Sequence, residues 1–346
     1  MKQTIKLLRI IGSPFVSETE TEPPVDHNEA LKLYYRAVRN RMALLYLTAL
    51  EKRRKLGELE TTYRTLCRKS LKIDDAFLRV SGLLRSANVP HAIFKTIRPY
   101  RSTTVDIDVI VFGSEKEYDK SLETMLEANY RKLGCGPNST TVRDPYIGMG
   151  VDLYKEVAAS QIIYLDKDNF QSYVTERDMP RNKDCVRTLS PPADLIALIA
   201  HSVIKEHMYT LSEYYSTIHF LAKMSHKDVQ DFTSMIYKNS ILNAARVHLG
   251  ITAKLHYVAH GRIPKKVRMV TEMIGTDSIE MERLNENHET PYKFQISTVI
   301  KALLEKIRKD KKSRRSIAKQ VISTLNPNFS RYLLRNIVDH AVRETY

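Results

Sequence analysis

The sequence predicts an α+β protein in which a small mixed β-sheet is flanked by helices, with a helical segment before the sheet and an all-helical region after it. Strand-like runs rich in Val and Ile are confined to residues 89–180. Before and after them, apolar residues recur every three or four positions, which is typical of helices. We therefore expect three domains, at residues 1–88, 89–180 and 181–346.

The N-terminal domain is predicted to contain two long helices. Apolar residues recur at helical spacing from residue 28 to residue 87, and Gly57 divides this stretch in two. Residues 12–28 precede the helices and hold too few apolar side chains to pack, so we expect a loop there.

The strand predicted at residues 105–112 carries two aspartates. Side chains alternate across a strand, so Asp106 and Asp108 project from the same face, at the mouth of a strand that is apolar on both faces. Two adjacent carboxylates in this position repel each other and resist desolvation unless they share a positive charge. A divalent metal ion is the usual solution.

A third carboxylate lies on the next predicted strand of the sheet. A crossover helix is expected at residues 116–133 and a turn at residues 134–138, and the strand at residues 151–154 then contains Asp152. Neighbouring strands lie about 4.8 Å apart, so Asp152 can reach the same metal if the two strands pair. Three acids could hold two ions, an arrangement that suits in-line displacement at phosphorus. The structural alternative is that such acids cap loops or pair with Lys and Arg.

At these residues the chain resembles the nucleotidyltransferase superfamily with a DNA polymerase beta-like core, and within it the minimal nucleotidyltransferases often found as toxins. Residues 90–96 resemble the family's first strand and phosphate loop, residues 105–109 its metal motif, and residues 151–153 its third-acid strand. Residues 189–201 are similar to the helix that opens the second domain of such proteins. The resemblance covers about residues 89–222.

The resemblance implies a metal-dependent enzyme built on a small mixed β-sheet nucleotidyltransferase core. It would transfer a nucleoside monophosphate from a nucleoside triphosphate such as ATP to an acceptor hydroxyl, with release of pyrophosphate. Asp106 and Asp108 would bind two Mg²⁺ ions that hold the triphosphate. Asp152 would hold the ion that activates the acceptor hydroxyl and would help remove its proton.

The phosphate loop departs from the family pattern. The family usually carries Gly-Ser at the start of this loop, whereas this chain has Lys95-Thr96. The Thr96 hydroxyl can still donate to a phosphate oxygen, and Lys95 supplies positive charge for a triphosphate. The departure leaves two alternatives open: an inactive relative, and a Lys95 that is only a solvated residue at the end of a strand.

A helix is predicted to start at Pro191, with Ser190 as its N-terminal cap. Asp194, His201 and Lys205 follow at spacings of seven and four and fall near one stripe of this helix. His201 and Lys205 could therefore face the cleft and bind the nucleotide, with Lys205 on the triphosphate. A purely structural role for both is the alternative.

The charge predicts a large anionic partner. The formal net charge is +15 and the sequence pI is about 9.5. The excess is greatest at residues 301–346, which hold twelve Lys or Arg against four acids. Such a run neutralises phosphates without reading bases, so a tRNA-like RNA is the predicted acceptor. The alternatives are a solvated helix face, an inactive RNA-binding or toxin–antitoxin partner protein, and transfer to a small molecule or protein.

Several other features limit the choice of function. No apolar run approaches the roughly 20 residues that span a bilayer, and the three cysteines lack zinc spacing, so we predict a cytoplasmic protein without a membrane partner. Walker, zincin and nucleophile-elbow motifs are absent. Arg335 and His340 match the Arg-x4-His spacing of HEPN-type ribonucleases. Such domains often accompany minimal nucleotidyltransferases, but the two residues would not share one stripe of a helix, so a chance match is the alternative. The resemblance to toxin-type nucleotidyltransferases implies an antitoxin as one candidate partner, and self-association is another.

Overall fold

The computed structural model describes residues 3–16, 26–179, 184–275, 289–327 and 329–331. It contains a seven-stranded mixed sheet with helices before, beside and after it, which confirms the predicted α+β class. In the part of the chain that the structure describes, no helix combines the length and the apolar character that crossing a membrane requires.

In the part of the N-terminal region that the structure describes, four α-helices precede the sheet: α1 (Gln3–Ile11), α2 (His27–Arg39), α3 (Ala43–Lys52) and α4 (Glu60–Ser86). Gly57 lies between α3 and α4, as the sequence predicted, and its φ is 52°, in the left-handed region that glycine adopts readily. The prediction of one helix before it was wrong, because Asn40 ends α2. The Asn40 amide accepts from the Leu211 N–H and donates to the Thr290 carbonyl, both distant in the chain, and Arg41 then adopts a φ of 57°.

Seven strands form the main sheet: β1 (His91–Ile93), β2 (Asp106–Val111), β3 (Arg131–Cys135), β4 (Ser139–Arg143), β5 (Gly150–Tyr154), β8 (Val174–Asp178) and β9 (Cys185–Leu189). Across the sheet their order is β3-β4-β5-β2-β1-β9-β8. A separate hairpin is formed by β6 (Val157–Ala159) and β7 (Ile162–Leu165).

The crossover helix α5 (Glu115–Glu127) is shorter than the predicted helix at residues 116–133. Its end is set by Asn129, whose φ of 66° is the left-handed conformation that commonly follows a helix. Residues 131–133 therefore belong to β3, where they pair with β4. The predicted turn at residues 134–138 is correspondingly reduced to the residues after Cys135.

The central strand β2 is buried on both faces, as its apolar pattern predicted. Ile107, Val109 and Val111 pack into one core with residues of α4 and α5. Ile110 and Phe112 pack into the other core, which includes the helices that follow the sheet. Asp106 and Asp108 alternate with the first set, so they face the side on which those C-terminal helices lie.

Among the described residues after Ser190, the only strands are the two-residue β10 (Met208–Tyr209) and β11 (Tyr292–Lys293), and the other regular elements are helices. The helices are α6 (Pro191–Ala200), continued by a π-helical turn at His201–Lys205, then α7 (Leu211–Lys223), α8 (His226–Lys238), α9 (Leu242–His260), α10 (Lys265–Ile274), α11 (Ile296–Lys309) and α12 (Lys311–Ser323). Ser190 is at the N-cap of α6 as predicted, but its buried hydroxyl bonds to none of the described residues. Pro192 at the second helical position has no N–H to offer it.

Candidate active site

The parallel pairing of β2 with β5 brings the three predicted acids together. Asp108 lies directly opposite Asp152 in the register, and Asp106 lies opposite Gly150. One carboxylate oxygen of each of Asp106, Asp108 and Asp152 lies within 4.8 Å of the others. The expectation that the two strands are neighbours is therefore confirmed, and the three acids could bind a metal ion.

The ionisation of the three acids shows the electrostatic cost of this arrangement. Burial, followed by repulsion from Asp108, raises the pKa of Asp106 to about 6, and the same two causes raise the pKa of Asp152. Burial also pushes the pKa of Asp108 upward, but the ammonium groups of Lys95 and Lys205 outweigh it and leave this pKa below its ordinary value. Burial and mutual repulsion therefore oppose the ionisation of Asp106 and Asp152.

One oxygen of the trio identifies where a cation would fit. Asp108 is 3% exposed, and its Oδ1 atom is buried without a hydrogen-bond partner among the described residues. A buried carboxylate oxygen of this kind is costly unless a cation or donor reaches it. Carboxylate oxygens are the ligands that Mg²⁺ and Mn²⁺ prefer, so the donor set fits a divalent ion.

Lys95 and Thr96 both bond to Asp108. The Lys95 Nζ atom lies 2.5 Å from Asp108 Oδ2, and the Thr96 hydroxyl lies 3.0 Å from the same oxygen. Thr96 Oγ1 also accepts from the Asp108 N–H at 3.1 Å. Lys95 is 8% exposed, so the alternative of a solvated strand-end lysine is wrong. The structural alternative, in which an acid pairs with Lys, holds for one oxygen of Asp108.

The backbone at Lys95 is held in an unusual conformation. Lys95 has a φ of 50°, in the left-handed region, and the Thr96 N–H donates to the Phe94 carbonyl across it at 2.6 Å. The Lys95 N–H donates to Oδ1 of Asp194 at 2.5 Å. Burial raises the pKa of Asp194 to about 6. Asp194 thus fixes the loop and does not line the cleft beside His201 and Lys205.

The π-helical turn after α6 places the other two predicted residues. His201 Nε2 lies 3.2 Å from Glu206 Oε1, and Lys205 Nζ donates to the Tyr154 hydroxyl at 3.3 Å. Burial, followed by the charge of Lys95, lowers the pKa of His201 to about 3, so its ring is neutral and Nε2 carries the proton given to Glu206. His201 can therefore contribute hydrogen bonds but no positive charge.

A cavity of about 320 Å³ joins the acids to these helical residues. Among its lining residues are Asp106, Asp108, Lys95, Thr96, His201, Lys205, Arg41 and Arg98. The sequence did not identify Arg41 or Arg98. Arg98 follows the phosphate loop by two residues, so its position was a usable signal. Arg41 comes from the break between α2 and α3, and no local pattern indicates that this break meets the sheet.

Two predictions about this region remain untested. The geometry of the carboxylates does not fix the number of ions, so two Mg²⁺ ions remain a prediction. Arg335 and His340 lie outside the described residues.

All three cysteines, Cys67, Cys135 and Cys185, are free in the structure.

No protein-family model matches the chain, and no curated protein matches it. The structure is similar to the crystal structure of an antigenic nucleotidyltransferase-like protein from Paracoccidioides brasiliensis, with 12% sequence identity and a TM-score of 0.29. The similarity covers 68% of this chain and 98% of that one. The chain has the three-carboxylate arrangement, on paired strands of a mixed sheet, that is typical of nucleotidyltransferases with a DNA polymerase beta-like core.

Proposed function

We propose that this protein is a metal-dependent nucleotidyltransferase that transfers a nucleoside monophosphate from a nucleoside triphosphate to an acceptor hydroxyl and releases pyrophosphate. The observation that carries the proposal is the convergence of three carboxylates within 4.8 Å, one of them with a buried oxygen that lacks a partner among the described residues. Structural ion pairs rarely leave a carboxylate oxygen in that state.

Asp106, Asp108 and Asp152 would hold the ion. A divalent ion bound there would neutralise phosphate charge and lower the pKa of the acceptor hydroxyl. Asp152, on the strand next to Asp108, would help to accept the hydroxyl proton. Its Oδ1 atom already accepts from the Thr141 hydroxyl at 2.5 Å, which orients the carboxylate.

The triphosphate is best served by the other cations that line the cavity. These are Lys205, Arg41 and Arg98, and a triphosphate bound beside them would receive charge-assisted hydrogen bonds. Lys95 and Thr96 donate to Asp108, so we assign them to orienting that acid in the nucleotide-free protein.

The acceptor surface is proposed to be a groove along α4, which we call the α4 groove. It has a volume of about 630 Å³, and its walls include the exposed Arg68, Lys69 and Lys72 together with Tyr146, whose side chain is 72% exposed. The α4 groove shares Thr104 and Val105 with the cavity that holds the acids. Cations beside an exposed aromatic ring are the pattern that binds single-stranded nucleic acid, so RNA is the acceptor that we propose.

The basic C-terminal cluster is less well placed for this role. Lys311, Arg315 and Lys319 line a separate groove of about 570 Å³, which we call the α12 groove. Its wall includes Asp166, and the next residue, Lys167, donates to the carbonyls of Val111 and Gly113. Val111 ends β2, whereas Asp106 begins it, so the two residues lie roughly 16 Å apart at the usual rise of a strand.

Charge reversal tests which groove holds the acceptor. Arg68→Glu, Lys69→Glu and Lys72→Glu together should lower transfer to RNA by about 10- to 100-fold and reduce the salt dependence of the rate, because phosphate contacts are lost. The matched control is Lys311→Glu, Arg315→Glu and Lys319→Glu, for which we expect less than about a twofold change. The assay measures transfer of each labelled nucleotide to total RNA at several salt concentrations. Equal loss in both variants would contradict the assignment to the α4 groove.

The same assay separates the proposed enzyme from its rivals. Incorporation into RNA that requires Mg²⁺ and stops with EDTA supports the proposal. The pairing of Lys95 with Asp108 favours one alternative, an inactive RNA-binding protein, which would bind RNA without incorporating label. Label that appears on a small molecule or protein, with a rate independent of salt, would indicate the other alternative. An antitoxin partner and self-association remain predictions.

A further inference from the structure

The ammonium group of Lys95 occupies an enclosed place beside the acids. The side chains of Lys95 and Asp108 are 7% and 4% exposed, and their charged atoms lie 2.5 Å apart. Lys95 Nζ also lies 5.2 Å from the centre of the Phe94 ring and 5.7 Å from that of Tyr154. These two rings meet edge to face with centroids 5.4 Å apart. Carboxylate and aromatic faces together form a pocket that favours a cation.

The backbone keeps this lysine in place. The left-handed φ of 50° at Lys95 is stabilised by its N–H bond to the buried Asp194 and by the bond from the Thr96 N–H to the Phe94 carbonyl. A residue other than Gly is rarely found in this conformation unless the surrounding contacts impose it. The direction in which the Lys95 side chain leaves the loop is therefore set by the fold.

The two oxygens of Asp108 have different surroundings. Oδ2 accepts both from Lys95 Nζ and from the Thr96 hydroxyl, which uses the lone pairs that a metal would need. Oδ1 is buried and has no hydrogen-bond partner among the described residues. Asp108 can therefore offer one oxygen to a cation while Lys95 keeps its position.

From these contacts we infer that the nucleotide-free protein binds one divalent cation, held by Asp106, Asp152 and Oδ1 of Asp108, with the Lys95 ammonium supplying the second positive charge on Asp108. The inference rests on the metal site of the proposed function but not on its catalytic activity. Asp108 has one oxygen to offer a first ion, whereas a second ion bound to Asp108 would need the oxygen that already accepts from Lys95 and Thr96. Two Mg²⁺ ions remain the prediction for the complex with nucleotide, in which the phosphates add negative charge and ligand oxygens.

The stoichiometry of Mn²⁺ binding tests this inference without any activity assay. Electron paramagnetic resonance of free Mn²⁺, in a titration of the full nucleotide-free chain, should give one bound ion for the wild type. Lys95→Met removes the charge but keeps an unbranched side chain, and it should bind two ions. Lys95→Arg retains the charge and should bind one, as should Lys120→Met, a control at an exposed lysine of α5.

Each outcome of the Mn²⁺ titration either supports or overturns the inference of one bound ion. Two ions of comparable affinity in the wild type, or a single ion in a folded Lys95→Met variant, would overturn the inference and leave the proposed function standing. Absence of Mn²⁺ binding in every variant would overturn both. Circular dichroism checks the fold of each variant, and if Lys95→Met does not fold, the wild-type and Lys95→Arg stoichiometries still decide between one ion and two.

Discussion

Replacing Asp106 with alanine is expected to lower metal-dependent nucleotide transfer by about 1,000-fold or more, because a metal ligand that acts on the transferred phosphate is worth several kcal/mol in the transition state. The fold should survive. Burial and the charge of Asp108 raise the pKa of Asp106 to about 6, so above that pH the ionised carboxylate opposes folding, and its removal does not destabilise the protein. Incorporation of labelled nucleotide at pH 8 measures the loss of activity.

Thermal unfolding supplies the matched measurement for Asp106→Ala. Without metal, the variant should unfold at the same temperature as the wild type or at a higher one. Added Mn²⁺ should raise the unfolding temperature of the wild type, since a ligand that binds only the folded state stabilises it, and should have little effect on the variant. Asp119→Ala, at an exposed position of α5, should behave as the wild type in both assays. Full activity in Asp106→Ala would refute the assignment.

The second large effect is expected at Asp194, a positioning residue that does not line the cavity. Asp194→Ala removes the acceptor of the Lys95 N–H and leaves that donor buried. An unsatisfied buried donor costs about 1–3 kcal/mol, which would populate other conformations of the strained loop and lower transfer by about 10- to 100-fold. The rate under saturating nucleotide and the Mn²⁺ affinity should both fall, since the loop carries Lys95 and Thr96 onto Asp108.

Asp194→Asn separates positioning from general destabilisation. The amide keeps a carbonyl oxygen that can accept the Lys95 N–H, so this variant should recover most of the activity that Asp194→Ala loses. If the two variants are equally impaired, or if Asp194→Ala loses thermal stability but retains its rate and Mn²⁺ affinity, then Asp194 does not position the loop.

The sequence predicted those residues of the site that belong to segments with a strong local pattern. Of the six residues of β2, Ile107, Val109 and Val111 face one apolar core and Ile110 faces the other, so the positions of Asp106 and Asp108 at its start follow from period-two spacing. Asp152 was placed by the same argument on a second short strand. The π-helical turn places His201 and Lys205 among the residues that line the cavity, whereas Asp194, which was expected on the same stripe, does not line it.

The remainder depends on contacts between distant parts of the chain. The left-handed turn at Lys95 is held by Asp194, which lies 99 residues further along. The break in the first predicted helix is set by contacts of Asn40 with Leu211 and Thr290, and it delivers Arg41 to the cavity. No periodicity over a short window reports such contacts, because they form only when the helices after the sheet pack against the N-terminal ones.

The net charge predicts an anionic partner, and its densest basic cluster lines the α12 groove and not the α4 groove that we propose for the acceptor. The count of basic residues is greatest near the C-terminus, whereas the cations of the α4 groove, which shares Thr104 and Val105 with the cavity that holds the acids, are followed by Asp74 and Asp75 and produce a smaller local excess. Adjacency to a site is a property of the folded chain. The comparison of the α4 groove with the α12 groove therefore tests an assignment that composition could not make.

Anomalous diffraction from crystals soaked in Mn²⁺ would test the central claim most directly. The account predicts a manganese peak enclosed by the carboxylates of Asp106, Asp108 and Asp152, with Lys95 still bonded to the other oxygen of Asp108. Crystals without a peak at this position, in which the three carboxylates turn apart or pair with guanidinium groups, would contradict it.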